Sequence, residues 1–298
     1  MSRRKLVARL ELIGTGISFG LMAVLARRVS RGAGGFSAGQ LSVVRFVIGA
    51  AVTGAYFLLR PASWRPANYR LLVSRGISGG IVVVLYFFAL ARIPAGEAGM
   101  IYNLFPVIAT GMAVFTLGER PTPHLLAGLA VATLGVVLVL GGGSLSLGLG
   151  LGEAAALGSA VFAATSANVI RAMRGTENAP TIFFFFCLAG LPVVAPFAFG
   201  PWPGGAGIWW QAVLMALCAL AAQVLMSDAY GSLSVSEAAV WLQLTPIAQY
   251  VVAWPLLGVR VSPLGLAGVC AGVAGVAWAT AKGARAPSAP RASAKPST

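Results

Sequence analysis

Apolar residues fall into ten runs of about 20 residues along the chain, and short charged, proline-rich or glycine-rich segments separate them. A run of that length is long enough for one helix to cross the hydrocarbon core of a bilayer. The pattern therefore predicts an all-α integral membrane protein with ten transmembrane helices. The predicted spans are Ala8–Ala26, Ala38–Leu59, Arg70–Ala91, Glu97–Leu117, His124–Leu140, Gly148–Ile170, Thr181–Phe199, Ile208–Tyr230, Glu237–Leu257 and Pro263–Ala281.

One segment of the chain occurs twice. Residues Glu97–Val136 align without a gap on Glu237–Val276 at an offset of 140, and 14 of the 40 positions are identical. Five spans in each half is an odd number, so the halves enter the bilayer from opposite faces, as the inverted repeats of secondary transporters do. We therefore predict two inverted five-helix repeats, residues 1–141 and 142–281, and a disordered basic tail over residues 282–298.

Composition and charge agree with a membrane protein. The chain is 58% hydrophobic and 9% charged, with a mean hydropathy of +0.87, whereas a soluble domain has about 25% charged residues. The net charge of +14 comes from Lys and Arg at span ends and in the tails, which is typical of membrane topology and excludes a nucleic-acid partner. If both termini are cytoplasmic, the segments on the cytoplasmic side hold 15 Lys and Arg, Arg75 included, and the loops on the outer side hold 5. This bias predicts a multi-pass protein of the bacterial inner membrane with that orientation.

Two prolines interrupt equivalent spans at equivalent depths. Pro106 and Pro246 each follow by nine residues the Glu that opens their helix, about 14 Å along it and near the bilayer midplane. Each proline releases the carbonyl four residues earlier, that of Tyr102 or Leu242. Such carbonyls are tolerated in a membrane where a cavity or a neighbouring helix satisfies them. The pair predicts two helices kinked around a central cavity, with ordinary helix packing as the alternative.

Uncharged polar and aromatic residues share the depth of these prolines. Asn103 and Gln243 stand one turn before them, and Thr110 and Tyr250 one turn after. Polar groups at that depth either line a cavity or bond another helix, and the rings either line it or pack. The predicted substrate-binding residues are Ser18, Tyr86, Tyr102, Asn103, Pro106, Gln223, Trp241, Gln243, Pro246 and Tyr250.

The charged residues argue against several chemistries. Glu97 and Glu237 open their helices, where a carboxylate favours the helix dipole, and no carboxylate falls at the predicted midplane. Proton coupling therefore has little support. Arg45 lies within a span, where snorkelling or pairing with an acid is favoured over substrate binding. No catalytic, metal-binding or Walker A motif is present, so the sequence predicts neither an enzyme nor a cofactor.

Glycine and aromatic residues are placed at predicted helix surfaces. Gly265, Gly268, Gly272 and Gly275 in the last span, with Gly128 and Gly135 in the fifth, permit close helix contact. That contact is either intramolecular or the seam of a homodimer, so the choice between monomer and homodimer stays open. Phe183–Phe186 and the tryptophans Trp202, Trp209 and Trp210 are interpreted as lipid-facing or interfacial.

The chain resembles the EamA-type transporters of the drug/metabolite transporter superfamily over nearly its whole length, up to about Ala281. The features that match are the ten spans in two halves, Arg45 within VVRFVIGA, and the segments AGEAGMIYNLFPVIATGMAVFTLGERPTP and VSEAAVWLQLTPIAQYVVAWPLLGVRVSP. The second segment departs from the first in having Val259 where Glu119 stands. The resemblance implies a ten-helix transporter with a central cavity that exports metabolites or amino acids. Within the superfamily, the tyrosines, the tryptophan and the amides are similar to those of the aromatic amino-acid exporters called YddG.

These observations predict a facilitative exporter of amino acids, aromatic or otherwise bulky and apolar, that works by alternating access. Its partners would be a small-molecule substrate and the lipid bilayer. Tyr86, Tyr102 and Trp241 would hold the apolar side chain, and Asn103, Gln223 and Gln243, with the freed carbonyls, the ammonium and carboxylate. Two alternatives remain open, an exporter of lipophilic cations and drugs, and a non-transporting membrane scaffold or lipid scramblase.

Overall fold

The computed structural model describes residues 3–30, 34–64, 66–140, 150–257 and 262–283. In the region predicted as a disordered tail, residues 282 and 283 are helical, and residues 284–298, like the position of Val259, lie outside the described residues. Every regular element in this part of the chain is helical. The helices are α1 (Arg3–Val29), α2 (Ala38–Leu59), α3 (Tyr69–Leu90), α4 (Ala95–Tyr102), α5 (Phe105–Thr116), α6 (Pro123–Leu140), α7 (Leu151–Met173), α8 (Ala179–Val194), α9 (Ala206–Ala229), α10 (Val235–Leu242), α11 (Leu244–Leu257) and α12 (Pro263–Gly283), with short 3₁₀ turns at Pro61–Ser63 and Ala195–Phe197.

The all-α membrane fold is confirmed. In the described ranges, nine helical stretches are long and apolar enough to cross a membrane by length and composition. The tenth predicted span is present as α10 followed by α11, which cover residues 235–257 with one break. Polar side chains cap the N-termini of three helices: Ser37 and Gln40 form a capping box at α2, Asn68 caps α3, and Asn178 caps α8.

Both predicted kinks are present as true interruptions of the helix. A turn at Asn103 and Leu104 interrupts the α-helical hydrogen-bond pattern between α4 and α5, with Pro106 in the first turn of α5. A second turn at Gln243 interrupts it between α10 and α11, three residues before Pro246. A proline cannot donate to the carbonyl four residues back, but its fixed φ suits a first helical turn. Each interrupted span therefore restarts as a new helix around its proline.

Contacts between helices follow a pseudo-two-fold pattern. Helix α1 packs on α9 and on α10 and α11, while its counterpart α7 packs on α3 and on α4 and α5. Likewise, the contact between α3 and α8 mirrors that between α9 and α2. The bundle thus has two faces, which we call the N-terminal face, where α1 begins, and the opposite face, where α1 ends.

Helices α6 and α12 form the closest helix contact, through the glycines singled out in the sequence. A Cβ added at Gly128 would lie 2.5 Å from the Cβ of Ala279, and one at Gly275 would lie 2.6 Å from the nitrogen of Ala132. A Cβ at Gly268 would lie 2.7 Å from the carbonyl oxygen of Gly135. Small residues allow two backbones to approach in this way. These glycines therefore join the two halves of one chain.

Candidate functional site

The two helix interruptions meet near the centre of the bundle. The side chain of Gln243 is fully buried, and its amide nitrogen donates to Thr133 Oγ1 at 2.7 Å and to the carbonyl oxygen of Asn103 at 3.5 Å. The side-chain amide of Asn103 donates back to the carbonyl of Gly99 at 2.7 Å. One break is thus bonded to the other through the side chain of Gln243 and the backbone carbonyl of Asn103, whereas the side-chain amide of Asn103 bonds within its own segment.

Aromatic rings cover one side of the first interruption. The rings of Tyr86 on α3 and Tyr102 at the end of α4 are 5.0 Å apart, and Phe105 follows at 5.4 Å from Tyr102. All three are half-buried. Two tyrosines predicted from depth alone are therefore brought into contact, with hydroxyl groups and apolar ring faces at the same place.

Arg75 lies on the same helix as Tyr86, and the sequence analysis had counted it among the positive charges on the cytoplasmic side. It is buried in α3, and its guanidinium donates to Gln223 Oε1 on α9 at 3.1 Å. The same group lies 4.3 Å from the centre of the Phe186 ring on α8. A Cβ added at Gly79 would lie 2.5 Å from Arg75 Nη1, so the glycine makes room for the guanidinium. Arg75 thus belongs to the interior, and so does Phe186, for which the lipid-facing or interfacial interpretation was wrong.

Arg45 on α2 reaches the same ring from the other direction. Its guanidinium carbon is 6.0 Å from the Phe186 ring centre and 5.1 Å from that of Phe46, and its Nη1 contacts Met22 Sδ at 3.9 Å. The interpretation that Arg45 pairs with an acid on a neighbouring helix was wrong, because no ion pair in the described chain joins Arg45 to a carboxylate.

All seven carboxylates lie in the described part of the chain, and none approaches the two arginines. Glu237 pairs with Arg9 and Lys5. Asp228 pairs with Arg174 and lies beside Glu11. The remaining four stand in loops or at helix starts, and two of them, Glu119 and Glu177, accept backbone N–H groups. The expected lack of an acid near the midplane therefore agrees with their placement.

A partly open cavity of about 210 Å³ lies above Arg45, at the opposite face. Its walls come from the end of α1, the start of α2 and the outer half of α3. They are formed by Ala26, Arg27, Ser30, Ala38, Leu41, Ser42, Arg45 and Phe87. Arg45 thus contacts this cavity as well as the Phe186 ring that Arg75 approaches.

Other predicted site residues lie away from this cluster. Trp241 packs beside Arg9, whose guanidinium carbon is 5.9 Å from its ring centre. The hydroxyl of Tyr250 accepts the backbone N–H of Ser262 at 3.1 Å, so it joins α11 to the start of α12. Ser18 is half-buried in α1, and Pro106 and Pro246 are buried at the interruptions.

Arg75 and Phe186, which form a cluster with Arg45, were not predicted from the sequence as site residues. The available signal was the group Gly76, Gly79 and Gly80 directly after Arg75, which predicts close approach of a second helix. A Cβ added at Gly76 would lie 2.5 Å from the Cβ of Ala189 on α8. An arginine on such a helix face cannot snorkel to water, so it must lie inside.

The comparisons with known proteins place this bundle among membrane transporters. The model of the EamA-like transporter family matches twice, at residues 8–141 and 150–281. The pseudopaline exporter CntI of Pseudomonas aeruginosa is 25% identical over 240 residues, which are 78% of this chain and 84% of that protein. A probable terminal-alkyne amino-acid exporter of Streptantibioticus cattleyicolor is 29% identical over 252 residues, 82% of this chain and 83% of that protein. A crystal structure with 24% identity superposes with a TM-score of 0.80 over 93% of this chain and 98% of the other, which supports the fold.

Proposed function

The chain belongs to the EamA-like transporter family, and from that premise we propose that it exports amino acids, or related metabolites, with aromatic or bulky apolar side chains. The observation that carries the proposal is the meeting of the two interrupted helices, where Gln243 bonds the carbonyl of Asn103 beneath Tyr86 and Tyr102. Interrupted helices at the interface of two repeats are where transporters hold their substrates. The relatives named as exporters of pseudopaline and of a terminal-alkyne amino acid support the substrate class.

The arrangement of the two faces suits alternating access with the N-terminal face in the cytoplasm. At that face, Glu237 and Arg9 join α10 to α1, and Glu119 joins the end of α5 to the start of α10. At the opposite face, the cavity above Arg45 is partly open. A substrate held near Tyr102 would leave through this cavity, while rocking of one half against the other would open the cytoplasmic side. Both termini are then cytoplasmic and the protein lies in the inner membrane.

Transport in this scheme is facilitative. A proton-coupled exporter needs an acid that meets both the proton and the substrate within the membrane. In the described chain, the carboxylates sit at helix starts, in loops or in contacts at the N-terminal face. The substrate gradient alone would drive export.

The alternative of a lipophilic-cation exporter is disfavoured by the buried Arg75 and the half-buried Arg45. A cation that entered the cluster would meet Arg45 and Arg75 around a single ring, with no carboxylate of the described chain beside them. Like charges in a medium of low dielectric repel strongly. A scaffold or scramblase remains the second alternative, and only it predicts the absence of saturable solute flux.

The test is uptake of labelled phenylalanine by liposomes that contain the purified protein, with and without a proton gradient. We expect saturable uptake that the gradient does not change. Tyr102→Ala should raise the concentration for half-maximal uptake several-fold, because it removes a ring from the site, whereas Phe115→Ala, at a 90% exposed position, should not. Vesicles with folded protein and no saturable uptake of any amino acid would contradict the proposal.

A further inference from the structure

Two guanidinium groups lie within the bundle around one phenylalanine ring. Arg45 is seven residues from the start of α2 and Arg75 six from the start of α3, about 10 Å and 9 Å along helices that enter from opposite faces. Their side chains converge on Phe186, at 6.0 and 4.3 Å. An arginine within a membrane helix is costly unless it is paired or reaches water. Two in one place therefore call for compensation.

The contacts within the described chain compensate them only in part. Arg75 donates to Gln223 Oε1 at 3.1 Å and Arg45 to the soft acceptor Met22 Sδ at 3.9 Å. The aromatic faces of Phe46 and Phe186 add cation–π attraction. The Nε atoms of both arginines are buried without a hydrogen-bond partner among the described residues. Each guanidinium thus keeps unused donors as well as an unbalanced charge.

We infer that Arg45 and Arg75 bind the carboxylate of the transported molecule, so that the protein carries organic carboxylates of the amino-acid type and excludes the corresponding amines and amides. The inference rests on the proposed function and names its substrate chemistry. A guanidinium offers a planar fork of donors that matches a carboxylate, and such charge-assisted bonds are about twice as strong as neutral ones.

The surroundings favour a carboxylate that is attached to an apolar body. Phe46 and Phe186 supply ring surface next to the guanidinium groups, and Tyr86 and Tyr102 contact each other at the first helix interruption. Arg45 also lines the cavity at the opposite face, so a carboxylate held there has a route outward. This assignment gives the arginines the carboxylate-binding role that the sequence analysis had given to Asn103, Gln223 and Gln243. The amides of Gln223 and Gln243 are engaged with Arg75 and Thr133.

The first test measures ligand binding by the purified full chain through thermal stabilisation. The probes are three molecules of one shape: phenylacetate, its neutral amide phenylacetamide, and the cation phenethylamine. We expect stabilisation by phenylacetate alone. Arg45→Gln and Arg75→Gln should each weaken it about 10- to 100-fold, because a charge-assisted pair is lost. Arg92→Gln is the matched control, since Arg92 is exposed and its guanidinium lies over Phe88.

A second measurement needs no ligand. Removal of an uncompensated buried charge should raise the melting temperature of the ligand-free protein, so Arg45→Met is expected to be more stable than the wild type. A lower melting temperature in Arg45→Met, with phenylacetate binding unchanged in Arg45→Gln, would mean that Arg45 is a structural residue and would overturn the inference. Equal stabilisation by phenylacetamide, or stabilisation by inorganic phosphate in place of phenylacetate, would overturn it as well.

Failure of this inference can be told apart from failure of the proposed function. Phenylalanine uptake that persists unchanged in Arg45→Gln and Arg75→Gln would leave the export function standing and remove the arginines from the site. Absence of amino-acid uptake, together with arginine-dependent binding of phenylacetate, would keep the carboxylate site and redirect the function to other organic acids.

Discussion

The starts of α4 and α10 are equivalent in the repeat, but they are held in different ways. At α10, on the N-terminal face, Ser234 caps the helix and both carboxylate oxygens of Glu119 accept backbone N–H groups, those of Val235 at 2.8 Å and Ser236 at 3.2 Å. At α4, on the opposite face, Pro94 stands at the capping position without a side-chain bond, and the sequence has Val259 in the place of Glu119.

The charge contacts between the halves show the same difference. Glu237 in the first turn of α10 accepts two hydrogen bonds from Arg9 of α1, the shorter at 2.6 Å, and lies 3.6 Å from Lys5. In the described part of the opposite face, Phe36 packs against Trp202 and Trp209. The ion pairs that join the halves among the described residues lie at the N-terminal face. Polar contacts that exist in only one state bias a transporter toward that state, here the one with a closed N-terminal face.

This comparison can be tested with one reporter. Ser30 lines the cavity at the opposite face and is exposed, so Ser30→Cys in a chain that also carries Cys218→Ser and Cys270→Ser should react with a polar maleimide when that cavity is open. Cys187 is buried and is retained. Opening of the N-terminal face should slow the reaction in proportion to the shift in population.

The largest effect is expected for Glu237→Gln. The substitution leaves the guanidinium of Arg9, whose side chain is 8% exposed, without its anionic partner, which costs about 3 kcal/mol for a buried pair. Labelling of the reporter should fall by up to roughly 100-fold. Arg9→Met combined with Glu237→Gln should recover part of the loss, and an additive double mutant would contradict a direct pairing.

A smaller shift in the same direction is expected for Glu119→Ala. Three hydrogen bonds to the start of α10 are lost, including that from Ser236 Oγ at 2.9 Å, at a cost of about 2 kcal/mol. Reporter labelling should slow by roughly 30-fold. Glu153→Ala removes a carboxylate from the start of α7 at the opposite face and should leave the labelling unchanged. Equal effects of the two substitutions would remove the distinction between the faces.

An acid introduced at the position of Val259 should act in the same direction by stabilising closure of the opposite face. Val259→Glu restores in the second half the acid that the first half has at Glu119, and a carboxylate near a helix start contributes about 1 kcal/mol. Closure of the opposite face is then favoured, and labelling should slow about fivefold without loss of thermal stability. Val259→Gln is the uncharged control. Unchanged labelling in Val259→Glu would mean that the repeat does not place this residue as it places Glu119.

The smallest effect is expected for Asp228→Asn. Asp228 pairs with Arg174 at 2.6 Å at the same N-terminal face, but its side chain is 50% exposed. Exposed ion pairs contribute about 1 kcal/mol or less, so labelling should change by less than about fivefold and should become insensitive to added salt. A larger change than in Glu237→Gln would reverse the proposed ranking of the contacts.

Several features of the site could be predicted from the sequence because they depend on local rules. Proline chemistry predicts the interruptions near Pro106 and Pro246, and depth predicts that Tyr86 and Tyr102 meet. The partners of polar side chains could not be predicted in the same way. Gln243 bonds Thr133, Tyr250 bonds the start of α12, and Gln223 accepts from Arg75. Each of these depends on the rotation of one helix against another, which hydropathy does not encode.

The ten apolar spans, the repeat, the inverted order of the halves and the glycines that permit close helix contact can be read from the linear chain, because they depend on span length, offset and side-chain size. Only helix packing brings those glycines together between α6 and α12, places Arg45 and Arg75 around Phe186, and joins Glu237 to Arg9 and Glu119 to the start of α10. The physical reason is that charges and rings act over a few ångströms. Whether an arginine meets water, an acid or a ring is therefore settled only when the helices pack.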